Sequence, residues 1–141
     1  MQTMNQIKTQ LQGLLTNQPN INIDVLLAYN QGLTCLPEIL EDEELIQGYC
    51  MGLLEYKSKK LGGGKWHVVL TNKRFYFIRK LMFRSNFESI PIELKDILKL
   101  TTKMGWFFGQ IQWETKDDTI KMLQIGKKDF EFFLPCLEKF L

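Results

Sequence analysis

One histidine, three cysteines and four prolines are all that this chain of 141 residues contains of those types, and each scarcity removes a class of function. His67 alternates with Trp66 and Val68 in an apolar run and has no partner motif. No serine–histidine or cysteine–histidine arrangement for nucleophilic catalysis can therefore be assembled around it. Cys35, Cys50 and Cys136 are odd in number, widely spaced and outside any CxxC pattern. Neither a disulfide framework nor a zinc site is indicated, and buried free thiols are expected. No apolar run approaches the roughly 20 residues of a membrane-spanning helix. The N-terminal stretch MQTMNQIKTQLQGLL also lacks the basic start and continuous apolar core of a signal peptide. The expectation is a cytoplasmic protein with no metal and no cofactor, its alternative location being peripheral, at the inner face of the membrane.

What is present suits a globular fold. The chain is 45% hydrophobic and 12% aromatic, with ten phenylalanines, a composition that favours packed sheet over disorder. A domain of this length can bury about 68–70% of the surface its unfolded form exposes. The net charge of +2 is too small by itself to imply nucleic acid or membrane, but it is unevenly spread. Residues 1–47 hold Lys8 against Asp24, Glu38, Glu41, Asp42, Glu43 and Glu44, whereas Lys57 to Arg84 contains nine basic residues and no acid.

Met4, Ile7, Leu11, Leu14 and Leu15 recur at helical spacing and predict a first helix. NINIDVLLAYNQG predicts a second, capped by Asn22 or Asp24 and stopped by a left-handed Gly32. CLPEILEDEEL reads as a short helix or turn from Pro37 into the acidic run Glu41 to Glu44. That run lacks the ligand spacing and the glycine of a calcium loop and is expected to be a solvated turn.

From Gly48 the period changes to two. GYCMGLLEY, KWHVVL, RFYFIRKLMF, FESIPI, LKLTTKM, GWFFGQIQWET and TIKMLQI predict seven strands. Gly62-Gly63-Gly64 is followed by no GK[ST] and opens a strand, so it predicts a loose connection and not a phosphate loop. At Thr71-Asn72-Lys73-Arg74 a tight turn is expected, Asn72 adopting the left-handed region and Thr71 bonding to nearby backbone. Phe130, Phe133, Leu134, Leu137 and Leu141 then mark the apolar face of a final helix, with Pro135 predicting a kink or a late start.

Seven strands followed by one helix, with LEDEELIQGYCMGLL, KWHVVLTNKRFYFI, FESIPIELKDILKL and MGWFFGQIQWET in that order, resemble the bacterial pleckstrin-homology (PH)-like families, in particular the YokE-like group. The TN-R turn is similar to that of GRAM domains. The resemblance covers about residues 38–141 and implies an α+β, mainly β fold: a PH-like barrel of seven antiparallel strands capped by a C-terminal helix. Residues 1–37 form an N-terminal helical extension outside it. The resemblance also implies a non-catalytic binding module and supplies no catalytic residue.

Two partner classes follow. One is protein–protein interaction or self-association through sheet edges or apolar surface. The alternative is an anionic membrane or lipid headgroup. In an antiparallel meander the connections after the first and third strands share one rim. That rim would collect Lys57, Lys59, Lys60, Lys65, Arg79, Lys80 and Arg84 as anion-binding residues, with Leu61, Leu81, Met82 and Phe83 as a shallow membrane tip. Lys73 and Arg74 would lie at the opposite end. Trp106, Phe107 and Phe108 stand in a row and put an aromatic on both faces of the strand, so that one of them is either core or a sticky surface, with core packing the expectation. Nucleic acid is not expected as a partner, since alternate aromatics of the basic hairpin point inward.

Overall fold

The computed structural model describes residues 1–15, 22–55, 58–81 and 86–141. Helix α1, Met4–Leu14, starts from Thr3 in a capping box: Thr3 Oγ1 accepts from the Gln6 N–H, and the Gln6 side chain accepts from the Thr3 N–H. Helix α2, Ile23–Tyr29, is capped by the Asn22 side chain accepting from the Asp24 N–H. It ends before Gly32, which lies in a 3-10 turn over Gln31–Cys35. That glycine is required for closeness and not for helix arrest, since a Cβ there would stand 2.7 Å from His67 Nδ1. A short α3, Leu36–Ile39, with Pro37 in its first turn, leads to the sheet.

The strands are β1 Ile46–Leu54, β2 Gly64–Thr71, β3 Arg74–Lys80, β4 Phe87–Glu93, β5 Ile97–Met104, β6 Phe108–Thr115 and β7 Thr119–Gly126. All pairings are antiparallel, in the order β4-β3-β2-β1-β7-β6-β5. The sheet curls without closing. β4 and β5 keep free edges, and β1 meets β7 over a short stretch, with Leu53 opposite Leu123, Leu54 opposite Met122 and the Glu55 N–H donating to the Lys121 carbonyl at 3.1 Å.

Two apolar cores result, and β2 and β3 serve both. Trp66, Val68, Leu70, Phe75 and Phe77 face the barrel interior with Trp113, Ile120, Met122 and Ile125. The residues that alternate with them, Val69, Tyr76 and Ile78, face outward under Ile7, Leu11, Leu27, Leu33 and Leu36 of the N-terminal helices. The apolar stripes of the extension are thus buried against the chain's own sheet. This explains why KWHVVL and RFYFI are apolar at nearly every position and not at every second one.

Helix α4, Lys127–Leu137, stoppers the barrel with Phe130, Phe133 and Leu137. It begins at Lys127, so Pro135 does not delay it; a 3-10 turn over Glu138–Phe140 follows two residues after the proline. At Gly109 a Cβ would sit 2.2 Å from the Phe130 ring, so only glycine lets α4 dock this closely against β6.

Candidate functional site

The acidic run is not a solvated turn. Glu44 is 0% exposed. Its Oε1 accepts from Arg74 Nη1 at 2.7 Å and from the Tyr76 hydroxyl at 2.6 Å, and its Oε2 accepts from Thr71 Oγ1 at 2.6 Å. Arg74 also reaches Glu93 through Nε at 2.8 Å and Glu41 through Nη2 at 3.3 Å, while Lys73 Nζ pairs with Glu41 at 2.5 Å. The hydrogen bond from Lys73 and its charge hold the Glu41 carboxyl below its usual range. Thr71 Oγ1 accepts from the N–H groups of Lys73 and Arg74, as the turn chemistry predicts. Asn72 is not left-handed: among the described residues the one non-glycine with positive φ is Gln124. Instead Asn72 pairs with Leu45, its Oδ1 accepting from the Leu45 N–H at 2.8 Å and its own N–H donating to the Leu45 carbonyl at 3.1 Å. The cations of this turn are occupied in holding the start of β1.

At the other end, Arg79 and Lys80 of the predicted basic rim are committed to structure. Arg79 lies over the Trp66 ring at 4.5 Å, donates to Glu88 at 2.8 Å and donates to the Gly63 carbonyl at 3.3 Å. Lys80 donates to Gln31 Oε1 at 2.8 Å. Lys59 and Lys60 have exposed side chains, but their backbone N–H groups point at the Asp118 carboxylate, at 3.0 and 3.3 Å. Ser58 Oγ adds a third donor at 2.8 Å and the Thr119 N–H a fourth at 2.8 Å. Burial pushes the Asp118 pKa up, yet these hydrogen bonds prevail and hold it below the usual aspartate value. The amide cluster that this loop offers an anion is therefore filled by the protein's own carboxylate.

Leu61, expected at a membrane tip, is 1% exposed and belongs to the barrel core. Next to it the Gly62 carbonyl accepts from Trp66 Nε1 at 2.9 Å, and Leu61 and Trp66 share the barrel core. Leu61 is thereby a plug. Leu81 is half-buried, its N–H donating to the Asn86 carbonyl at 3.0 Å. Lys65 is exposed at the start of β2. Lys57, Met82, Phe83 and Arg84 lie outside the described residues.

His67 is buried at the β2 surface beneath the extension, its Nε2 at 3.2 Å from Asn30 Oδ1. Burial and the nearby Lys65 charge lower its pKa to about 4, so the ring is neutral near pH 7.

The clearest surface feature is at a place where core packing is expected. The β5–β6 hairpin closes with the Gly105 N–H donating to the Phe108 carbonyl at 2.9 Å, leaving Trp106 and Phe107 as its two loop residues. Trp106 is 92% exposed, Phe107 73% and Phe108 48%. Met104 is also exposed on the same hairpin. The base of the hairpin is rigid, because Gly109 lies against Phe130 and Phe108 pairs with Gly126 just before α4. Lys127 and Lys128, both exposed, follow Gly126 directly, and Lys103 stands two pairs below the Gly105–Phe108 closure, opposite Gln110. A hollow of about 340 Å³ beside Phe108 is lined by Leu53, Met51, Lys65, Gln124 and Asp129.

The signal that distinguishes this loop is local. Two-residue hairpin loops favour Asn, Asp and Gly, so bulky aromatics there are out of place for the turn itself. Among the described residues no group of three or more His, Cys, Asp or Glu side chains is arranged to hold a metal ion, and no helix is long and apolar enough to cross a membrane.

A family model described as a bacterial PH domain matches residues 40–139. One similar solved structure is the C-terminal domain of an unknown protein from Leishmania infantum. It is 13% identical, with a TM-score of 0.48, covering 84% of this chain and 98% of that one. Another is a DUF1696 family protein with a pleckstrin-homology domain from Shewanella loihica PV-4. It is 16% identical, with a TM-score of 0.48, covering 86% and 98%. No curated protein matches the chain. With the family model spanning the whole curled sheet and its capping helix, the chain belongs to the bacterial PH domain family.

Proposed function

We propose that this protein is a non-catalytic binding module whose contact surface is the aromatic tip of the β5–β6 hairpin. One observation carries the reading: Trp106, Phe107 and Phe108 are presented to solvent on a rigid base. The outer face of β2 and β3 is covered by the N-terminal helices. The outer face of β5 and β6 carries Lys99, Thr101, Lys103, Gln110, Gln112 and Glu114 and suits water. A contiguous exposed apolar projection marks an interaction site.

Protein–protein interaction or self-association is one finer reading, and the free edges of β4 and β5 support it in principle. Both edges carry counter-measures, however. Pro91 interrupts β4, and a second β5 would bring Lys99 and Lys103 near their own copies. Attachment through the basic rim at residues 57–84 has less support, because Leu61 points inward and Asp118 fills the loop amides.

The test is a tip variant, Trp106→Ser with Phe107→Ser, compared with the wild type in light scattering over a concentration series, in capture of lysate proteins and in co-sedimentation with vesicles. The variant is expected to keep the wild-type unfolding profile and to lose the association that the wild type shows. Identical behaviour of the two proteins in all three assays would remove the tip as the working surface.

A further inference from the structure

We propose that the partner of the β5–β6 tip is the interface of an anionic lipid bilayer, entered by Trp106 and Phe107 and held by Lys103, Lys127 and Lys128. This inference rests on the tip being the contact surface and names what the tip contacts.

Shape is the first argument. Trp106 and Phe107 are neighbours in a two-residue loop, so they form a convex wedge and not a flat apolar face. A rigid protein partner must supply a matching groove, whereas lipid headgroups part around a wedge. Tryptophan and phenylalanine are also side chains that settle at the boundary between headgroups and acyl chains.

Area is the second. With side chains of about 150–250 Å² each, the three rings at 92, 73 and 48% exposure present on the order of 400 Å². Two copies meeting tip to tip would bury about 800 Å² in total, below the roughly 1,200 Å² at which stable interfaces begin. A bilayer sets no such minimum.

Charge is the third. Lys127 and Lys128 follow the residue paired with Phe108, Lys103 lies two pairs below the Gly105–Phe108 closure, and Lys65 lines the hollow beside Phe108. Asp129 is the acid of that hollow, set among the lysines Lys65, Lys103, Lys127 and Lys128. Cations around an apolar wedge match an anionic leaflet, in which lysines near the surface add attraction that falls off within a Debye length.

The chain carries its own reporter. Trp66 and Trp113 are 0% exposed, so the solvent-exposed tryptophan emission belongs to Trp106. The full-length protein is titrated with vesicles of phosphatidylglycerol mixed equally with phosphatidylcholine, and with phosphatidylcholine alone, at low and high salt. The emission is expected to shift to the blue and become protected from a soluble quencher with the anionic vesicles at low salt. Lys103→Gln with Lys127→Gln and Lys128→Gln should weaken that binding by about a hundredfold, the sum of three surface lysines. Trp106→Phe should retain sedimentation with vesicles, and Trp106→Ser with Phe107→Ser should abolish it.

No blue shift with anionic vesicles overturns the lipid assignment. So does equal, salt-independent binding to neutral vesicles, or binding that survives the tip variant and is lost with Lys59→Gln and Lys60→Gln instead. Tip-dependent association in light scattering without lipid would leave the tip as a binding surface and overturn only its lipid partner.

Discussion

Glu44 Oε1 and Arg74 Nη1 lie 2.7 Å apart across thirty positions of sequence, in a place where Glu44 has no solvent-accessible surface. The pair joins the entry to β1 with the β2–β3 turn, and Thr71 and Tyr76 complete the coordination of the carboxylate. Gln2 Nε2 donates to the carbonyls of Glu41 and Glu44 at 2.7 and 2.8 Å, and Gln10 Oε1 accepts from the Ile46 N–H at 2.7 Å. The first helix and the sheet are thus tied through one short polar segment.

Removing one member of this pair is expected to be far worse than losing an exposed one. Glu44→Ala leaves the Arg74 guanidinium, the Thr71 hydroxyl and the Tyr76 hydroxyl short of their shared acceptor and should cost about 3–5 kcal/mol. Glu41→Gln removes exposed pairs to Lys73 and Arg74 and should cost much less. Urea unfolding with an unchanged slope measures both. Comparable small losses would show that the buried carboxylate contributes nothing beyond its packing.

Leu61→Ala separates a core plug from a surface anchor. With Leu61 at 1% exposure and packed in the barrel core, the truncation should destabilise the protein by about 2–5 kcal/mol. A surface position would register within about 0.5 kcal/mol. Trp106→Ser, at the exposed tip, is expected to fall in that second class, and thermal or urea unfolding of the two variants side by side decides the matter.

His67 makes stability depend on pH in a window whose sign is fixed by burial. Its folded pKa is lowered from 6.5 to about 4, so between those values the unfolded chain binds a proton that the native state refuses. Stability is therefore full above about 6.5 and is lost as the pH falls towards 4, by up to about 3 kcal/mol from this group. His67→Gln, which carries no titrating group, should flatten that portion of the profile. Measuring the urea midpoint between pH 7 and pH 4.5 for both proteins checks it, and parallel profiles would assign the acid sensitivity elsewhere.

Periodicity and turn residues alone carried the seven strands, the final helix and the first two helices, because alternation and helical spacing are local properties of the chain. Burial on both faces of β2 and β3 was also written there, in the unbroken apolar runs of KWHVVL and RFYFI, once a second layer is allowed for. Cation partners were not legible. Arg74 and Lys73 look like surface charge until the fold sets Glu41, Glu44 and Glu93 against them, and the loop amides of Lys59 and Lys60 look open until Asp118, from a turn about 60 residues away, takes them. Leu61 and Trp106 exchanged the fates expected of them for the same reason. Whether an apolar side chain in a loop turns inward or outward depends on where that loop lands: Leu61 of the β1–β2 connection packs into the barrel core, and Trp106 of the β5–β6 loop stands in solvent.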